Sequence, residues 1–564
     1  MKHTSKPLSG ASQRTFTIIL FALILIIGIY LRFDRLTTIP PSLSHDETAI
    51  AYNAYSILKT GKDEYGAPYP LLFRSFDDYK LPGMVYTTVP FVALFGRTEL
   101  AARLPSALFG ILAIIVMYVL AAELLGDRRH LKLGEFDAAL IPTLMFALQP
   151  WHINFSRQLF ESNGAVFWFM LGTYFLLRSR RNYREILLAG LFYVTSLYFY
   201  YSVRLVIPFM ALLYLVTQWK TVTKEWKTSV VTLAICLTVF FPMGREMLSP
   251  GGWQRINTVS VVNDQNFINR KEAYTNIMAV HPTIINKIIY NRRIALLETI
   301  LENYWKNIDP HNLFVTGTGT YGALYPFDMM LLPLGLLLLF SLSPFSMYVL
   351  LVWLVTGFFP GAFSLNQPNT LRTLIAAPVF AVLSGFGIIY LLEYLPKKSR
   401  VKPVVAVLLT ALVIWFLLSF PKFHYAYFVN NPTNNALSFG DGNKQMVAYV
   451  RANEHKYDRI YISGYYWRPY IFLLYWGGID PAVYQSGGNR EHFGKYYFTS
   501  ASWDTNGMKL MDPSFDFKGL PHGGNTLFIL ASPEYMQHKK EFQKLDDING
   551  STVKEVFVSA KLYN

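Results

Sequence analysis

Two carboxylates, Asp46 and Glu47, stand just after the first apolar run, in the segment Ser42-Leu-Ser-His-Asp-Glu-Thr. An acid at a membrane surface beside an apolar helix is an unfavourable placement unless it is used. A carboxylate there suits a general base, and Asp46 is the first candidate for that role. Ser44 and Glu47 have the S-x-x-E spacing of a capping box, so a helix is predicted to start here. The same spacing gives Glu47 a structural reading as a cap, with Asp46 complementing the helix dipole. Ile50, Ala54, Ile57 and Leu58 share one face, which predicts a helix lying along the membrane surface. Lys80 follows in Phe76-Asp-Asp-Tyr-Lys-Leu-Pro-Gly, just before another apolar run. Its ammonium either snorkels to headgroup depth or meets a phosphate as a point charge. Arg103, in Ala101-Ala-Arg-Leu-Pro-Ser, stands at the mouth of the next apolar run, where an anion is again within reach.

These residues are strung between spans. Of the 564 residues, 52% are hydrophobic and 15% charged, where a soluble domain carries about a quarter charged. Apolar runs of spanning character recur near 16–32, 101–125, 136–150, 162–177, 186–200, 205–218, 228–244, 327–342, 345–360, 371–394 and 403–420. The chain is therefore read as an α-helical polytopic membrane protein with about eleven transmembrane helices. The first run is read as a span rather than a signal peptide. No small-residue cleavage site follows it, and Arg32, Asp34 and Arg35 come at once.

The net charge of +15 would indicate nucleic acid in a soluble protein. Here the basic residues sit in short loops between apolar runs, so no nucleic-acid partner is expected. Lys2, Lys6 and Arg14 begin the series. Arg128, Arg129 and Lys132 follow, then Arg178, Arg180, Arg181 and Arg184, then Lys220, Lys224 and Lys227, then Lys397, Lys398, Arg400 and Lys402. All fall on one side if the N-terminus is cytoplasmic. Three stretches then face outward: 33–100, 245–326 and 421–564. Residues 1–420 form the membrane domain with the first two as outer loops. Residues 421–564 read as a small extracytoplasmic α/β domain, with helical spacing from Asp441 to Glu454 and strands at Ile460–Ser463 and Thr526–Ala531. The Pro and Gly residues at 245–252 and 310–326 predict loops. The single cysteine, Cys236, leaves no disulfide within the chain.

The order of span, Asp46-Glu47, Lys80-Leu81-Pro82, Phe95-Gly96 and Ala102-Arg103-Leu104-Pro105-Ser106-Ala107 resembles the GT-C glycosyltransferases of the protein O-mannosyltransferase and lipid A aminoarabinose transferase group. Leu81 stands where that group usually has a first Pro, which leaves the lysine in place. Pro150-Trp-His-Ile-Asn-Phe-Ser-Arg157 and then Glu161 resemble the group's second outer turn, with Glu161 where Asp is common. Tyr304 to Phe314, Tyr321-Gly322, Gln367-Pro-Asn-Thr-Leu-Arg372 and Tyr457-Asp-Arg-Ile-Tyr resemble its later loops and C-terminal domain.

The resemblance implies an inverting transfer of a sugar, hexosyl or pentosyl, from a polyprenyl-phosphate donor at the extracytoplasmic side of the plasma (inner) membrane. The acceptor is a hydroxyl or amine of a glycan, lipid or protein, and membrane lipid is the surrounding partner. A phosphate leaves already charged, so it calls for cations rather than an acid. Lys80, Arg103, Arg157 and Arg372 are the cations implied for it. Asp46 and Glu47 are the implied catalytic acids, and Glu161 and Tyr321 are implied at the substrate, where Arg204 is a further candidate from its place at a helix end. An aspartate at a helix start is a weak base, which is tolerable where proton transfer is late. His45 adjoins Asp46 without a second histidine at ligand spacing, so no metal is predicted, although a divalent metal stays open. His152 and Asn154 are read as polar residues of an outer turn. A transporter or flippase of lipid-linked sugars is the rival class, but no paired broken helices in two related halves are evident. An O-antigen polymerase or ligase is a second rival, and the carboxylates of the first outer loop speak against it.

Overall fold

The computed structural model describes residues 10–564 except 77, 127–135, 318, 394–401, 467, 500–502, 505–506, 509–516, 518, 520–523 and 564. Asp77 and the basic residues Lys2, Lys6, Arg128, Arg129, Lys132, Lys397, Lys398 and Arg400 lie outside the described residues. The chain divides into two compact units. One comprises residues up to Asp34, Ser106–Ser156 and Phe160–Ala426; the other comprises Arg35–Pro105, Arg157–Leu159 and Tyr427–Asn564.

Helix α1 (Gly10–Phe33) belongs to the first unit. The stretch 33–100 supplies α2 (His45–Thr60), the hairpin strands β1 (Phe73–Ser75) and β2 (Asp78–Lys80), and α3 (Pro82–Phe95). Helix α4 (Glu99–Leu125) runs on past the division between the units. The first unit then continues with α5 (Leu140–Leu148), α6 (Pro150–Ser156), α7 (Glu161–Arg178), α8 (Glu185–Leu197) and α9 (Ile207–Thr217). Among the described residues, six helices are long and apolar enough to cross a membrane: Gln13–Phe33, Glu99–Leu125, Trp226–Met247, Pro344–Ala362, Leu374–Glu393 and Lys402–Asn434. The five remaining expected spans coincide with the shorter helices α5, α7, α8, α9 and Asp328–Leu339. Val230, Leu233, Leu237 and Phe241 are exposed along Trp226–Met247, as lipid-facing side chains are.

Within this unit the helices Asp328–Leu339 and Ala377–Glu393 approach closely. A Cβ on Gly335 would stand 1.9 Å from the Leu383 carbonyl oxygen, and one on Gly387 would stand 2.3 Å from that of Leu331. Small residues at the crossing are what permit such backbone contact between membrane helices. The stretch 245–326 differs from the expected loop at 245–252. Trp226–Met247 runs into it and Pro250–Val259 starts within it, because Ser249 caps the new helix and Pro250 occupies its first turn. Gln265–Val280 and Arg292–Ile308 continue that helical character.

In the second unit α2 packs against α3 and against the helix Pro469–Trp476. Almost every residue from Glu47 to Ile57 is buried. That corrects the expectation of a helix lying on the membrane surface. Ala49, Ala51 and Ala54 are small enough for partners to close on more than one side, and Tyr52 is buried beside them.

The C-terminal stretch of this unit contains a helix at Asn443–Asn453 with Met446, Val447 and Val450 buried, as their spacing predicts. Its strands are β3 (Arg459–Ile462), β4 (His492–Phe493), β5 (Tyr496–Phe498), β6 (Trp503–Asp504), β7 (Gly507–Met508), β8 (Thr526–Ala531), β9 (Phe542–Ile548) and β10 (Phe557–Leu562). Six of them form one sheet in the order β4-β5-β3-β8-β10-β9. Strand β3 is parallel to β5 and β8, and the other pairings are antiparallel. Tyr461, Phe517, Phe528, Leu530 and Phe542 form an aromatic-rich core on the sheet.

Candidate functional site

The start of α2 is built as its sequence predicts. Glu47 N–H donates to Ser44 Oγ at 3.3 Å, and Ser44 N–H donates to Glu47 Oε2 at 2.9 Å, completing the capping box. The cap places two carboxylates in very different surroundings. Glu47 has no exposed surface, and its Oε1 accepts from Arg103 Nε at 3.1 Å and from the Leu159 N–H at 3.0 Å. Arg103 is equally buried. Its Nη1 donates to the carbonyls of Leu36 (3.0 Å) and Pro40 (2.7 Å), and its Nη2 donates to the carbonyl of Ser42. Every guanidinium nitrogen of Arg103 is therefore engaged, and the pair ties α2, α4 and the turn before α2 together. This geometry fixes the start of α2, since both side chains are fully buried and hold one another and the backbone around them.

Asp46, one residue earlier, has a side chain 36% exposed. Lys80 Nζ lies 2.6 Å from Asp46 Oδ1. Strand β2 carries Lys80 to this point by pairing with β1 in the register Phe73 to Lys80. His45 Nε2 stands 3.7 Å from Asp46 Oδ2, and its ring meets Phe76 edge-on at 5.4 Å. Burial pushes the His45 imidazole below its ordinary value, and the positive charges of Lys80 and Arg468 push the same way, against Asp46. Arg468 is the functional candidate that sequence reading missed. Its guanidinium lies 5.6 Å over the Phe76 ring, and its φ of 42° is left-handed for a residue that is not glycine. Such backbone outliers collect where a side chain must be aimed. An arginine set among aromatics in Gly464-Tyr-Tyr-Trp-Arg-Pro was the available signal.

Arg157 belongs to the same unit. It is fully buried, donates from Nη2 to the Ile39 carbonyl at 3.0 Å, and lies 4.8 Å over Phe428 and 5.6 Å over Tyr427. A second buried acid lies further along the loop. Glu64 accepts from Tyr470 Oη at 3.1 Å and from Asn53 Nδ2 at 3.2 Å, and burial pushes its carboxyl up to about 8.

The four other expected residues sit in the first unit. Arg372 donates from Nη1 to the Leu365 carbonyl at 2.7 Å. Arg204 lies 4.3 Å over the Tyr201 ring. Glu161 is buried as the first residue of α7. Tyr321 packs edge-on against Phe423 at 5.1 Å and lines an apolar cavity of about 370 Å3 that also holds Lys422. His152 lies on α6. It is fully buried, with Nδ1 2.8 Å from Arg32 Nη2 and its ring stacked on Phe146 at 4.1 Å, because α6 turns it inward. Among the described residues, no three His, Cys, Asp or Glu side chains are grouped to hold a metal ion.

Residues 80–244 match the family model of dolichyl-phosphate-mannose-protein mannosyltransferases. Among solved structures, the chain resembles ArnT from Cupriavidus metallidurans bound to undecaprenyl phosphate, with a TM-score of 0.54 at 12% identity over 97% of this chain and 98% of that one. The apo state of the same protein gives 0.51 at 12% identity over the same shares. The archaeal oligosaccharyltransferase AglB from Archaeoglobus fulgidus gives 0.49 at 15% identity, over 81% of this chain and 63% of that one. This chain therefore spans less than two thirds of the archaeal enzyme's length. No curated protein sequence matches the chain. Likeness is thus present in the fold, to ArnT, and in the family model over residues 80–244, and with its long apolar helices the chain is an integral membrane protein.

Proposed function

We propose that this chain, with its GT-C fold and its mannosyltransferase-like segment, is an inverting glycosyltransferase. It takes a sugar from a polyprenyl-phosphate donor and passes it to an acceptor hydroxyl or amine on the extracytoplasmic side of the membrane. The observation that carries the reading is the contact between Asp46 and Lys80, a half-exposed carboxylate held 2.6 Å from an ammonium. A base and a phosphate-binding cation are the two groups this reaction asks of the protein.

In the step itself the acceptor oxygen or nitrogen bonds to the anomeric carbon while the bond from that carbon to the phosphate oxygen breaks. The bonding pair leaves with the phosphate, and the acceptor's proton passes to Asp46. Lys80 meets the departing phosphate. Its closed contact with Asp46 opens as the donor enters, which frees Asp46 Oδ1 for the acceptor. Arg468 supplies a second positive charge beside Phe76. Glu47 and Arg103 position the start of α2, and Arg157 is held by its aromatic neighbours at the same loop. The sequence resemblance alone assigns Arg372 to the donor phosphate and Glu161 and Tyr321 to the substrate, and Arg204 is a substrate candidate from its place at a helix end.

The likeness in fold to a protein crystallised with undecaprenyl phosphate supports a polyprenyl phosphate as the lipid half of the donor. The basic loops support a cytoplasmic N-terminus, eleven spans, and an extracytoplasmic α/β portion at 421–564. The test is donor turnover. Purified protein in liposomes is given polyprenyl-phosphate hexoses and pentoses with cell-envelope extract as acceptor, and release of free polyprenyl phosphate is followed. Sugar-dependent release is expected for one donor class; no release from any donor would refute the assignment.

A further inference from the structure

The helix Arg292–Ile308 is amphipathic with its polarity reversed. Its buried face is Ala295, Thr299, Asn303 and Asn307, three of them polar and all at a spacing of four. Leu297, Leu301 and Trp305 recur at the same spacing two residues on, about 200° round the helix. These three are exposed, Trp305 by 66%. A helix on a protein surface in water shows the opposite arrangement.

The polar groups face inward because they have partners there. Thr299 Oγ1 accepts from Arg270 Nη1 at 2.9 Å, Asn307 Nδ2 donates to Gln367 Oε1 at 2.8 Å, and Asn307 Oδ1 accepts from the Asn369 N–H at 3.0 Å. The acids of the helix are engaged as well. Glu302 meets Arg270 Nη2 at 2.9 Å and Lys306 Nζ at 2.7 Å, and Tyr274 Oη donates to Glu298. The helix before it, Ile284–Ile289, has no buried residue, and Ile284, Ile285, Ile288 and Ile289 are all exposed, Ile284 by 78%.

Exposed apolar surface on this scale marks a place of contact. Two observations identify what covers it. Lys287, Arg292 and Arg293 are exposed among these side chains, and no acid stands between His281 and Leu297, so the charge complements anionic headgroups. The far end of Arg292–Ile308 is also fastened to a span. Tyr304 Oη donates to the Val355 carbonyl at 3.2 Å, and its ring meets Phe358 and Phe359, within the long apolar stretch Pro344–Ala362. Val355 is itself exposed, as a lipid-facing side chain is, and Trp305 adjoins it as tryptophans do at a membrane–water boundary.

We propose that Ile284–Ile289 and Arg292–Ile308 lie in the membrane interface. The four isoleucines, Leu297, Leu301 and Trp305 enter the headgroup–acyl boundary, and Lys287, Arg292 and Arg293 meet anionic phospholipid headgroups. None of these residues is assigned to donor or acceptor.

The experiment uses the full chain in a Cys236→Ala background, reconstituted in liposomes. Ile288→Cys and Leu301→Cys each carry a bimane fluorophore, and Lys271→Cys, exposed on the polar helix Gln265–Val280, is the water-facing control. Brominated phosphatidylcholine should quench bimane at 288 and 301 but not at 271, and aqueous iodide should do the reverse. Association of brominated phosphatidylglycerol at 288 should exceed that of brominated phosphatidylcholine about five-fold or more, the factor for one basic residue at an anionic surface. Lys287→Gln, Arg292→Gln and Arg293→Gln together should abolish that preference while quenching by brominated phosphatidylcholine persists. Quenching at 288 and 301 by iodide alone would place both helices in water and overturn the proposal. Shielding of both sites from iodide and from lipid would overturn it equally, since a second copy or another protein would then cover them. A phosphatidylglycerol preference that is absent, or unchanged in the triple variant, would refute the headgroup contacts.

Discussion

Asp46 and Glu47 are neighbours in sequence, yet Asp46 shares a half-exposed contact of 2.6 Å with Lys80, while Glu47 shares a fully buried one of 3.1 Å with Arg103. The two pairs differ in what opening them costs. Asp46 is about a third exposed and Lys80 only 12%, so this pair reaches solvent on its carboxylate side and opens more readily than a fully buried one when a ligand competes for either. Removing one partner of a buried pair costs about 3–5 kcal/mol, so Glu47 and Arg103 stay closed and hold the frame. The proposed chemistry therefore lies with the first pair.

Lys80→Met keeps the apolar stem and removes the charge. Asp46 keeps access to water on its exposed side, so the stability loss should stay below the about 3–5 kcal/mol of breaking a fully buried pair. Binding of a polyprenyl phosphate should weaken roughly tenfold or more, the value of a charge-assisted hydrogen bond. Equilibrium binding to the purified protein reads this directly, and unchanged affinity would return Lys80 to the role of a snorkelling side chain.

Arg103→Met should behave in the opposite way. It leaves the Glu47 carboxylate buried and frees three backbone carbonyls, so a loss of about 3–5 kcal/mol is expected. Chemical denaturation of the detergent-solubilised protein measures it. A variant as stable as the wild type would mean that the buried pair does not hold the loop.

What was legible in the sequence was what is local. The capping box needs only Ser44 and Glu47, three residues apart, and it formed. The apolar runs each became a helix because burial or lipid contact rewards the same side chains. Pairings over distance had no local sign. Asp46, Glu47, Lys80 and Arg103 were readable as candidate types, but nothing in their spacing says that Arg103 takes Glu47 while Lys80 takes Asp46. Arg468, set among aromatics, was overlooked because nothing in its spacing says that a distant helix start brings it to Phe76. The face of α2 misled because its apolar stripe is narrow, whereas the alanines that look neutral in the sequence are what let partners pack closely. His152 was read only as a polar residue of an outer turn; that Arg32, from α1, meets it and lets it be buried had no local sign.

Glu64 makes stability depend on pH. Burial raises its carboxyl from the ordinary 4.5 to about 8 in the folded chain. Between those values the folded protein holds a proton that the unfolded chain has lost. The stabilisation is complete below the lower value and declines as pH rises through the window. Glu64→Gln stays neutral and can keep its contacts to Tyr470 and Asn53, so its apparent Tm should fall less between pH 5 and pH 8 than that of the wild type, about the two ends of that window. Parallel curves for the two proteins would show that Glu64 does not titrate there.

Residues 421–564 should face outward. Met536 is well exposed, 62% by surface. In a Cys236→Ala background, Met536→Cys should react with a membrane-impermeant thiol reagent added to intact cells. Reaction only after the membrane is breached would invert the proposed topology.

The most direct measurement is single-turnover transfer by Asp46→Asn in reconstituted protein with a matched polyprenyl-phosphate donor. Asparagine keeps the size and can still accept from Lys80, so folding and donor binding should persist. Loss of the base should slow transfer by about 10²–10⁴-fold. Transfer at the wild-type rate, with donor binding intact, would contradict the assignment of Asp46 as the base.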